Sequence, residues 1–388
     1  MLALVAVLAA TLTPTGGPPQ PVSFCLLCGE GGASDALSNL ILFLPLGAAI
    51  AWCGWRGPWT VLAPALLSLS VETAQIWLPG RDASLSDLVF NTAGAAAGIA
   101  IVRSSGWWMV PARSRRRALM WGVLAGAVGL FVATGLLFRP DLPRSAYWGQ
   151  WTPQLGHLEW YGGTIVRAEL GTLRVPDGRL PDSDTARALL RARAPLMVRA
   201  VAGPPVPGLA PLLSIADDGQ REILLLGPDR RGLVYRHRLR AMAARLTEPD
   251  VRADGLVLGR APGDSLVVTV QADGNGYCLV VNTRASCGLG FTLGRGWSLV
   301  SYPERLPTWF RLLLDDAWLA GLLFLLGFWL AGRVAGTLAV MIAGGALWLV
   351  PAATGLLSTP PGELIGAVVG LAIGLIARRY VGAAPNAA

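Results

Sequence analysis

The sequence predicts an α-helical polytopic membrane protein with about eight transmembrane helices and an extracytoplasmic all-β sandwich domain before the last spans. Of its 388 residues, 53% are hydrophobic and only 14% are charged, whereas charged residues make up about a quarter of a soluble domain. Apolar runs suited to a bilayer of about 30 Å occur towards both ends of the chain. Between them lie short apolar runs bounded by Gly, Pro and Asp, a pattern typical of strands and turns.

These patterns divide the chain into residues 1–138, 139–306 and 307–388, with about five spans in the first region and three in the last. The spans are predicted at residues 1–13, 36–53, 58–78, 86–103, 119–138, 311–331, 334–356 and 362–378. Residues 1–13 are short for a span, and no basic residue precedes them. We interpret them as the first span, with a cleaved secretory signal as the alternative.

Arginine accounts for all 32 basic residues, and the formal net charge is +8. Much of this charge lies beside predicted spans, so membrane orientation explains it better than nucleic-acid binding does. The arginine-rich run from Arg113 to Arg117 is expected in the cytoplasm, and counting spans from it places residues 139–306 outside. The lipid bilayer is therefore the expected partner, nucleic acid is not expected, and the sequence leaves the oligomeric state open.

Polar residues gather in the hairpin formed by the third and fourth spans. At helical spacing Glu72 and Gln75 share one face, and so do Asp87 and Asn91. Ionisable groups are costly inside a membrane, so they indicate a functional site that faces a partner or a wet cavity. The alternative is that Asp87 caps a helix and Glu72 reaches the membrane edge. The candidate site residues, all expected at the outer boundary of the bilayer, are Asp35, Asn39, Glu72, Gln75, Arg81, Asp87 and Asn91.

The order of these residues resembles a known family. The signature of VanZ-like bacterial membrane proteins is similar to Glu72-x-x-Gln75, Arg81 and Ser86-Asp87-x-x-x-Asn91-Thr92-x-Gly94. That family's opening helix is similar to Asp35-x-x-x-Asn39-x-x-x-Phe43-x-Pro45-x-Gly47. The resemblance covers about residues 22–105. It implies a multi-pass protein of the bacterial cell membrane, linked in founding members to resistance to teicoplanin-type glycopeptides, and it brings no reaction with it.

The candidate residues allow functions of several classes. Arg81 can bind a phosphate or carboxylate bidentately beside neutral amide groups, which favours binding of an envelope lipid or glycan headgroup. Glu72 and Asp87 could instead be the acid/base pair of a membrane enzyme, or bind a divalent cation together with Asp35. A structural or transport role is the third class. The sequence contains no zinc, phosphate-loop or serine-nucleophile motif, so we expect no bound metal and no cofactor.

In the β-domain, strands are expected at 212–215, 222–226, 232–236 and 266–270, and turns at 217–219 and 273–276. The spacing of the predicted strands from Leu213 to Arg236 is similar to that in laminin-G-like, concanavalin-type domains. Asp217 and Asp218 could hold Ca²⁺, although Asp-Asp-Gly is typical of a solvated turn. Four tryptophans either form a recognition surface or fill the core, namely Trp148, Trp151, Trp160 and Trp297.

Four of the five cysteines lie in two close pairs. Cys278 and Cys287 flank a predicted turn, which allows a cross-strand disulfide in an oxidising compartment. Cys25 and Cys28 form a Cys-x-x-Cys motif, for which we favour a disulfide over a redox pair or half of a metal site. Cys53 is expected to remain reduced.

Small residues recur every four positions in two predicted spans, which allows close helix contact and predicts packing surfaces rather than ligand sites. These residues are Gly94 and Gly98 in one span and Gly362, Gly366, Gly370 and Gly374 in the other. Glu363, at the outer start of the last span, is expected to join the polar cluster or to cap its helix.

Overall fold

The structure is a computed structural model that describes residues 2–14, 22–156, 158–256, 261–301 and 306–383. Six helices come first in the chain: α1 (Leu2–Leu12), α2 (Gly32–Trp52), α3 (Trp59–Gln75), α4 (Leu85–Arg103), α5 (Ser105–Trp108) and α6 (Arg113–Leu137). The next segment contains α7 (Ser183–Arg191), α8 (Arg240–Ala243) and a short 3₁₀ helix (Gly294–Leu299). Three more helices follow: α9 (Thr308–Trp329), α10 (Arg333–Thr354) and α11 (Pro361–Ala383).

Six of the described helices are long and apolar enough to cross a membrane, namely α2, α4, α6, α9, α10 and α11. The chain is therefore a multi-pass membrane protein. Two further predicted spans coincide with shorter helices, because α1 has 11 residues and α3 has 17. The prediction of about eight spans depends on these two.

The segment between α6 and α9 forms two six-stranded sheets with antiparallel neighbours. The first sheet has the order β4-β1-β6-β7-β8-β9, and the second has the order β12-β11-β10-β5-β2-β3. The strands are β1 (Tyr147–Trp151), β2 (Thr164–Leu170), β3 (Leu173–Arg174), β4 (Gly178–Arg179), β5 (Leu196–Val201), β6 (Leu213–Asp217), β7 (Glu222–Pro228), β8 (Gly232–His237), β9 (Val251–Asp254), β10 (Ser265–Asp273), β11 (Gly276–Val281) and β12 (Arg284–Leu289). The four predicted strands correspond to β6, β7, β8 and β10, and both predicted turns are hairpins.

The two sheets share one apolar core, to which Leu213 and Leu224 of the first sheet and Val198 and Val268 of the second contribute. Burial alternates along β5 and β10, as expected for a sheet with one covered face. Nearly every residue of β6 and β7 is buried, because α8 and the chain after it cover the outer face of the first sheet. This layer includes a buried ion pair of 2.7 Å between Arg236 and Asp250.

The β-domain rests on the first turns of α2. The Ser34 hydroxyl donates to the Leu299 carbonyl at 2.9 Å and accepts from the Thr247 backbone N–H at 2.7 Å. One turn later, the Ser38 hydroxyl donates to the Val300 carbonyl at 2.6 Å. Hydrogen bonds at Thr247 and at residues 299–300 thus fix the β-domain against the start of α2.

Glycines bring the helix pairs α2/α4 and α9/α11 into backbone contact. A Cβ atom added to Gly94 would lie 2.2 Å from the Leu40 carbonyl oxygen, and one added to Gly98 would lie 2.1 Å from that of Leu44. Added Cβ atoms at Gly370 and Gly374 would lie 2.0 and 2.2 Å from the carbonyl oxygens of Ala320 and Phe324. Neither helix pair could pack so closely with any larger residue at these positions. The prediction that both stripes are packing surfaces is confirmed.

The two contacts have the same register. Gly47 of α2 meets Ala95 of α4, and Gly327 of α9 meets Leu371 of α11 in the same way. Residues that correspond in α2 and α9 are always 280 positions apart, as Gly47 and Gly327 are. Residues that correspond in α4 and α11 are always 276 positions apart, as Ala95 and Leu371 are. The α9/α11 pair therefore repeats the packing of α2/α4 residue by residue.

Both predicted cysteine pairs are disulfides in the structure. Cys278 of β11 is bonded to Cys287 of β12, with 3.9 Å between their Cα atoms. Cys25 is bonded to Cys28 in the segment that precedes α2. Cys53, at the C-terminal end of α2, is a free and exposed thiol.

Gly94→Ala should lower the thermal stability of the purified protein, because the added methyl group overlaps the backbone of α2. Overpacking of this kind costs about 1–3 kcal/mol. The matched control is Gly126→Ala in α6, where an added Cβ atom meets nothing within 4 Å. Thermal unfolding in detergent measures both variants, and equal melting temperatures would contradict the role assigned to Gly94.

Candidate functional site

A polar cavity of about 490 Å³ lies where α2 and α4 begin and α3 ends. Five of the seven predicted site residues line it, namely Asp35, Asn39, Gln75, Arg81 and Asp87. The connecting loop and the first turns of the helices add residues that the sequence analysis did not select, namely Ser38, Asp82, Ser84 and Ser86. The structure thus brings the opening of α2 together with the α3–α4 hairpin.

Carboxylates dominate the charge of this cavity, because Asp35, Asp82 and Asp87 all line it. Asp35 and Asp82 are exposed, and Asp87 is partly buried and interacts with the Asn39 amide. Within the described part of the chain, neither Asp35 nor Asp87 has an ion-pair partner within 4.0 Å. Both carboxylates are therefore available to hydrogen-bond donors that enter the cavity.

Arg81 has a different role from the expected one. Its guanidinium donates to two carbonyl oxygens at the end of α1, at 2.9 Å to Thr13 and 2.7 Å to Ala10. The end of a helix offers free carbonyl groups and a partial negative charge, which explains why the cation settles there.

The remaining predicted residues are buried and join helices. The Glu72 carboxylate accepts a hydrogen bond from the Ser84 backbone N–H at 2.8 Å, just before α4 begins. Gln75 donates to the Thr11 carbonyl at 3.0 Å, which joins α3 to α1. Asn91 donates to the Ser68 hydroxyl at 3.0 Å, which joins α4 to α3. Glu72 and Asn91 do not line the cavity.

The start of α4 is held by its own sequence and by the segment before α2. The Ser84 hydroxyl accepts from the Ser86 N–H at 3.1 Å and caps the helix. The Ser86 hydroxyl donates to the Leu26 carbonyl at 2.7 Å, and the Ser23 N–H donates to the Ala83 carbonyl at 2.9 Å. Asp87 therefore lies in the first turn of a helix whose position is fixed on both sides.

A comparison with known protein families identifies a match that includes this site. Residues 10–109 match the VanZ/LLP1 family model. This segment runs from the end of α1 to just beyond α5, and it contains all seven predicted site residues. The VanZ-like resemblance is confirmed for it. No curated protein and no solved structure matches the chain, and the laminin-G-like character of the β-domain stays a prediction.

A second cavity, of about 470 Å³, lies between the β-domain and the ends of α6 and α10, and the sequence analysis missed it. Four arginines line it, namely Arg139, Arg191, Arg193 and Arg240. His237 lines it as well, and burial, aided by Arg193, lowers the pKa of this histidine to about 4, so it is neutral at pH 7. These residues come from three separate segments, at 139, 191–193 and 237–240, so no local motif could have indicated their proximity.

The tryptophans and the aspartate pair of the β-domain have mixed roles. Trp148 and Trp160 are exposed, whereas Trp297 is buried against α9, where its indole N–H donates to Asp315 at 2.7 Å. Of the two alternatives for these residues, exposure on a surface is therefore excluded for Trp297. Asp217 accepts from the Gly219 and Arg221 N–H groups at 2.9 Å, as expected for a turn rather than a Ca²⁺ ligand.

Glu72→Ala should lower the amount of correctly inserted protein, because the half-buried Ser84 N–H loses its acceptor at a cost of about 1–3 kcal/mol. Asp87→Ala should leave the amount unchanged, because its side chain faces the cavity. Quantitative blotting of membrane fractions and melting in detergent compare the two variants. A larger loss for Asp87→Ala than for Glu72→Ala would contradict these assignments.

Proposed function

We propose that this multi-pass, VanZ-like protein binds the headgroup of an envelope lipid or glycan in the cavity at the start of α2 and α4. The observation that carries the proposal is the pair of available carboxylates, Asp35 and Asp87, in a cavity large enough for a sugar-sized group. Neutral donors and acceptors from Ser38 and Asn39 surround the pair. Such a mixture suits a hydroxyl-rich ligand, because every polar group of the ligand finds a partner.

The placement of the cavity supports an envelope ligand. It lies at the helix ends that face the β-domain, while the opposite ends of the helices carry most of the arginines beside the spans. These are Arg56, Arg103, Arg113, Arg115, Arg116, Arg117, Arg333, Arg378 and Arg379. Because arginine-rich short loops stay in the cytoplasm, the cavity and the β-domain are on the outer side of the bacterial cell membrane in this proposal.

The other function classes have less support. An acid/base pair of Glu72 and Asp87 is disfavoured because Glu72 is buried outside the cavity and already accepts the Ser84 N–H. Within the described residues, no group of three or more His, Cys, Asp and Glu side chains is placed to hold a metal ion. A link to glycopeptide resistance follows from the family resemblance alone, and it is compatible with a protein that binds an envelope component.

A reporter enzyme fused after Asp264, in the β-domain, should be active only outside the cytoplasm. The matched control is a fusion after Gly332, between α9 and α10, which should be active only inside. Alkaline phosphatase and green fluorescent protein fusions report the two sides. Cytoplasmic activity of the Asp264 fusion would reverse the proposed orientation, including that of the cavity.

Protein purified in mild detergent should retain an envelope lipid or glycan that Asp87→Asn releases, because the amide cannot replace a carboxylate as acceptor for several donors. Mass spectrometry of copurified molecules from equal amounts of folded protein measures the effect. Asp218→Asn, in an exposed turn of the β-domain, is the control and should retain the ligand. If wild type and Asp87→Asn carry the same molecules in the same amounts, the proposed binding site is wrong.

A further inference from the structure

The acid pair of the cavity has a counterpart at the start of α9 and α11. The offsets of the glycine contacts place Asp315 at the position of Asp35, and Glu363 at the position of Asp87. A cavity of about 400 Å³ lies at this second pair. Six of its lining residues correspond to lining residues of the first cavity by the same offsets: Thr308 to Cys28, Leu312 to Gly32, Asp315 to Asp35, Pro360 to Ser84, Gly362 to Ser86 and Glu363 to Asp87.

The helices around the two pairs correspond as well. In the first half of the chain α1 packs against α2 and α3, and in the second half α6 packs against α9 and α10. The third helices differ in their other contacts, because α3 also packs against α2 and α4, whereas α10 packs mainly against α6. The order α1, α2, α3, α4 thus matches the order α6, α9, α10, α11. Four spans return the chain to the side where it began, so two such units have the same orientation. This agrees with the position of both cavities beside the β-domain, since Ser38 of the first cavity donates to the Val300 carbonyl and Thr292 lines the second.

We propose that α6 and α9–α11 are a second copy of the unit α1–α4, and that a segment of the β-domain occupies the ligand position of this second copy. The segment runs from Thr292 to Trp297. The inference rests on the proposed function of the first cavity, and it names the class of ligand bound there: a molecule that presents hydroxyl and amide N–H donors, such as an N-acetylated sugar, rather than an anion.

The contacts of this segment show what the acid pair accepts. Glu363 accepts hydrogen bonds from the Thr292 hydroxyl and, at 2.9 Å, from the Gly294 backbone N–H. Asp315 accepts from the Trp297 indole N–H at 2.7 Å, and Arg295 lies 3.7 Å from its other oxygen. The two carboxylates thus receive one hydroxyl and two N–H groups from a single continuous segment.

The first cavity has corresponding acceptors, and within the described residues no segment donates to both of them. Asp35 and Asp87 line it, and the described protein atoms supply them with no ion pair. A third carboxylate, Asp82, adds negative charge, and the nearest arginine, Arg81, is directed to the carbonyl groups of α1. An anionic ligand would meet three carboxylates and one arginine in the lining, whereas hydroxyl and N–H donors would repeat the contacts of Thr292 and Gly294.

The β-domain takes the same place in the second unit as the loop between α1 and α2 takes in the first. In the first unit, the connection from the first helix to the second carries the Cys25–Cys28 disulfide. In the second unit, the corresponding connection from α6 to α9 is the whole β-domain. The last part of that connection, at residues 292–297, contacts the acid pair before the chain reaches α9 at Thr308.

Gly294→Ala tests the second site directly, because the added Cβ atom would lie 2.4 Å from the Glu363 carboxyl carbon. It should release the segment, so that amide hydrogen exchange at residues 292–299 becomes about tenfold faster or more. Glu363→Gln should have the same effect. The control is Gly156→Ala in the β-domain, where an added Cβ atom meets nothing within 4 Å and exchange should not change.

The ligand class is tested on the full chain in detergent, with N-acetylglucosamine and inorganic phosphate as separate probes. N-acetylglucosamine should compete with the copurified ligand and slow amide hydrogen exchange at the start of α4, whereas phosphate should do neither. Asp87→Asn should abolish the response to N-acetylglucosamine, and Glu363→Gln should retain it. Competition by phosphate, or by neither probe, overturns the ligand class. Unchanged exchange at 292–299 in both second-site variants overturns the occupied second site. Either result leaves the proposed function standing if Asp87→Asn still releases a copurified headgroup.

Discussion

The architecture depends on one kind of contact, the approach of two membrane helices to within backbone distance of each other. Lipid tails are as apolar as the side chains of a span, so burial of apolar surface contributes little to helix association in a membrane. Contact area must come instead from close packing, which requires glycine where helices cross. At Gly94 and Gly370 an added Cβ atom would lie within 2.2 Å of a carbonyl oxygen of the partner helix. These positions fix the axial register of α2 on α4 and of α9 on α11.

That register places the charged residues. Because α2 and α4 cannot slide along each other, Asp35 and Asp87 in their first turns stay together at one end of the pair. The buried polar side chains Glu72 and Asn91 then join α3 to this pair through hydrogen bonds rather than through apolar contact. The polar residues of the hairpin therefore fall into two groups: one stabilises the helices, and the other faces the cavity that the helices create.

The β-domain is part of this arrangement rather than an appendage. It contacts α2 through Ser34 and Ser38, and it contacts α9 and α11 through Trp297 and Gly294. Its first sheet is buried on both faces because the segment that touches α2 also covers that sheet. The domain thereby connects two groups of membrane helices whose ends carry acidic residues.

The sequence by itself determined the class of the protein, the main strands and turns, both cysteine pairs and the residues of the VanZ-like segment. Local signals suffice for these, because hydropathy, turn residues and short motifs act over a few residues. The tertiary structure decided which polar residues face a cavity, where Arg81 directs its guanidinium, and that Asp315 and Glu363 accept donors from the β-domain. These outcomes depend on residues brought together from distant segments. The correspondence of α4 with α11 is also present in the sequence, because Asp87, Gly94 and Gly98 have the same spacing as Glu363, Gly370 and Gly374. Only the tertiary structure showed that both helices meet their partners in the same register.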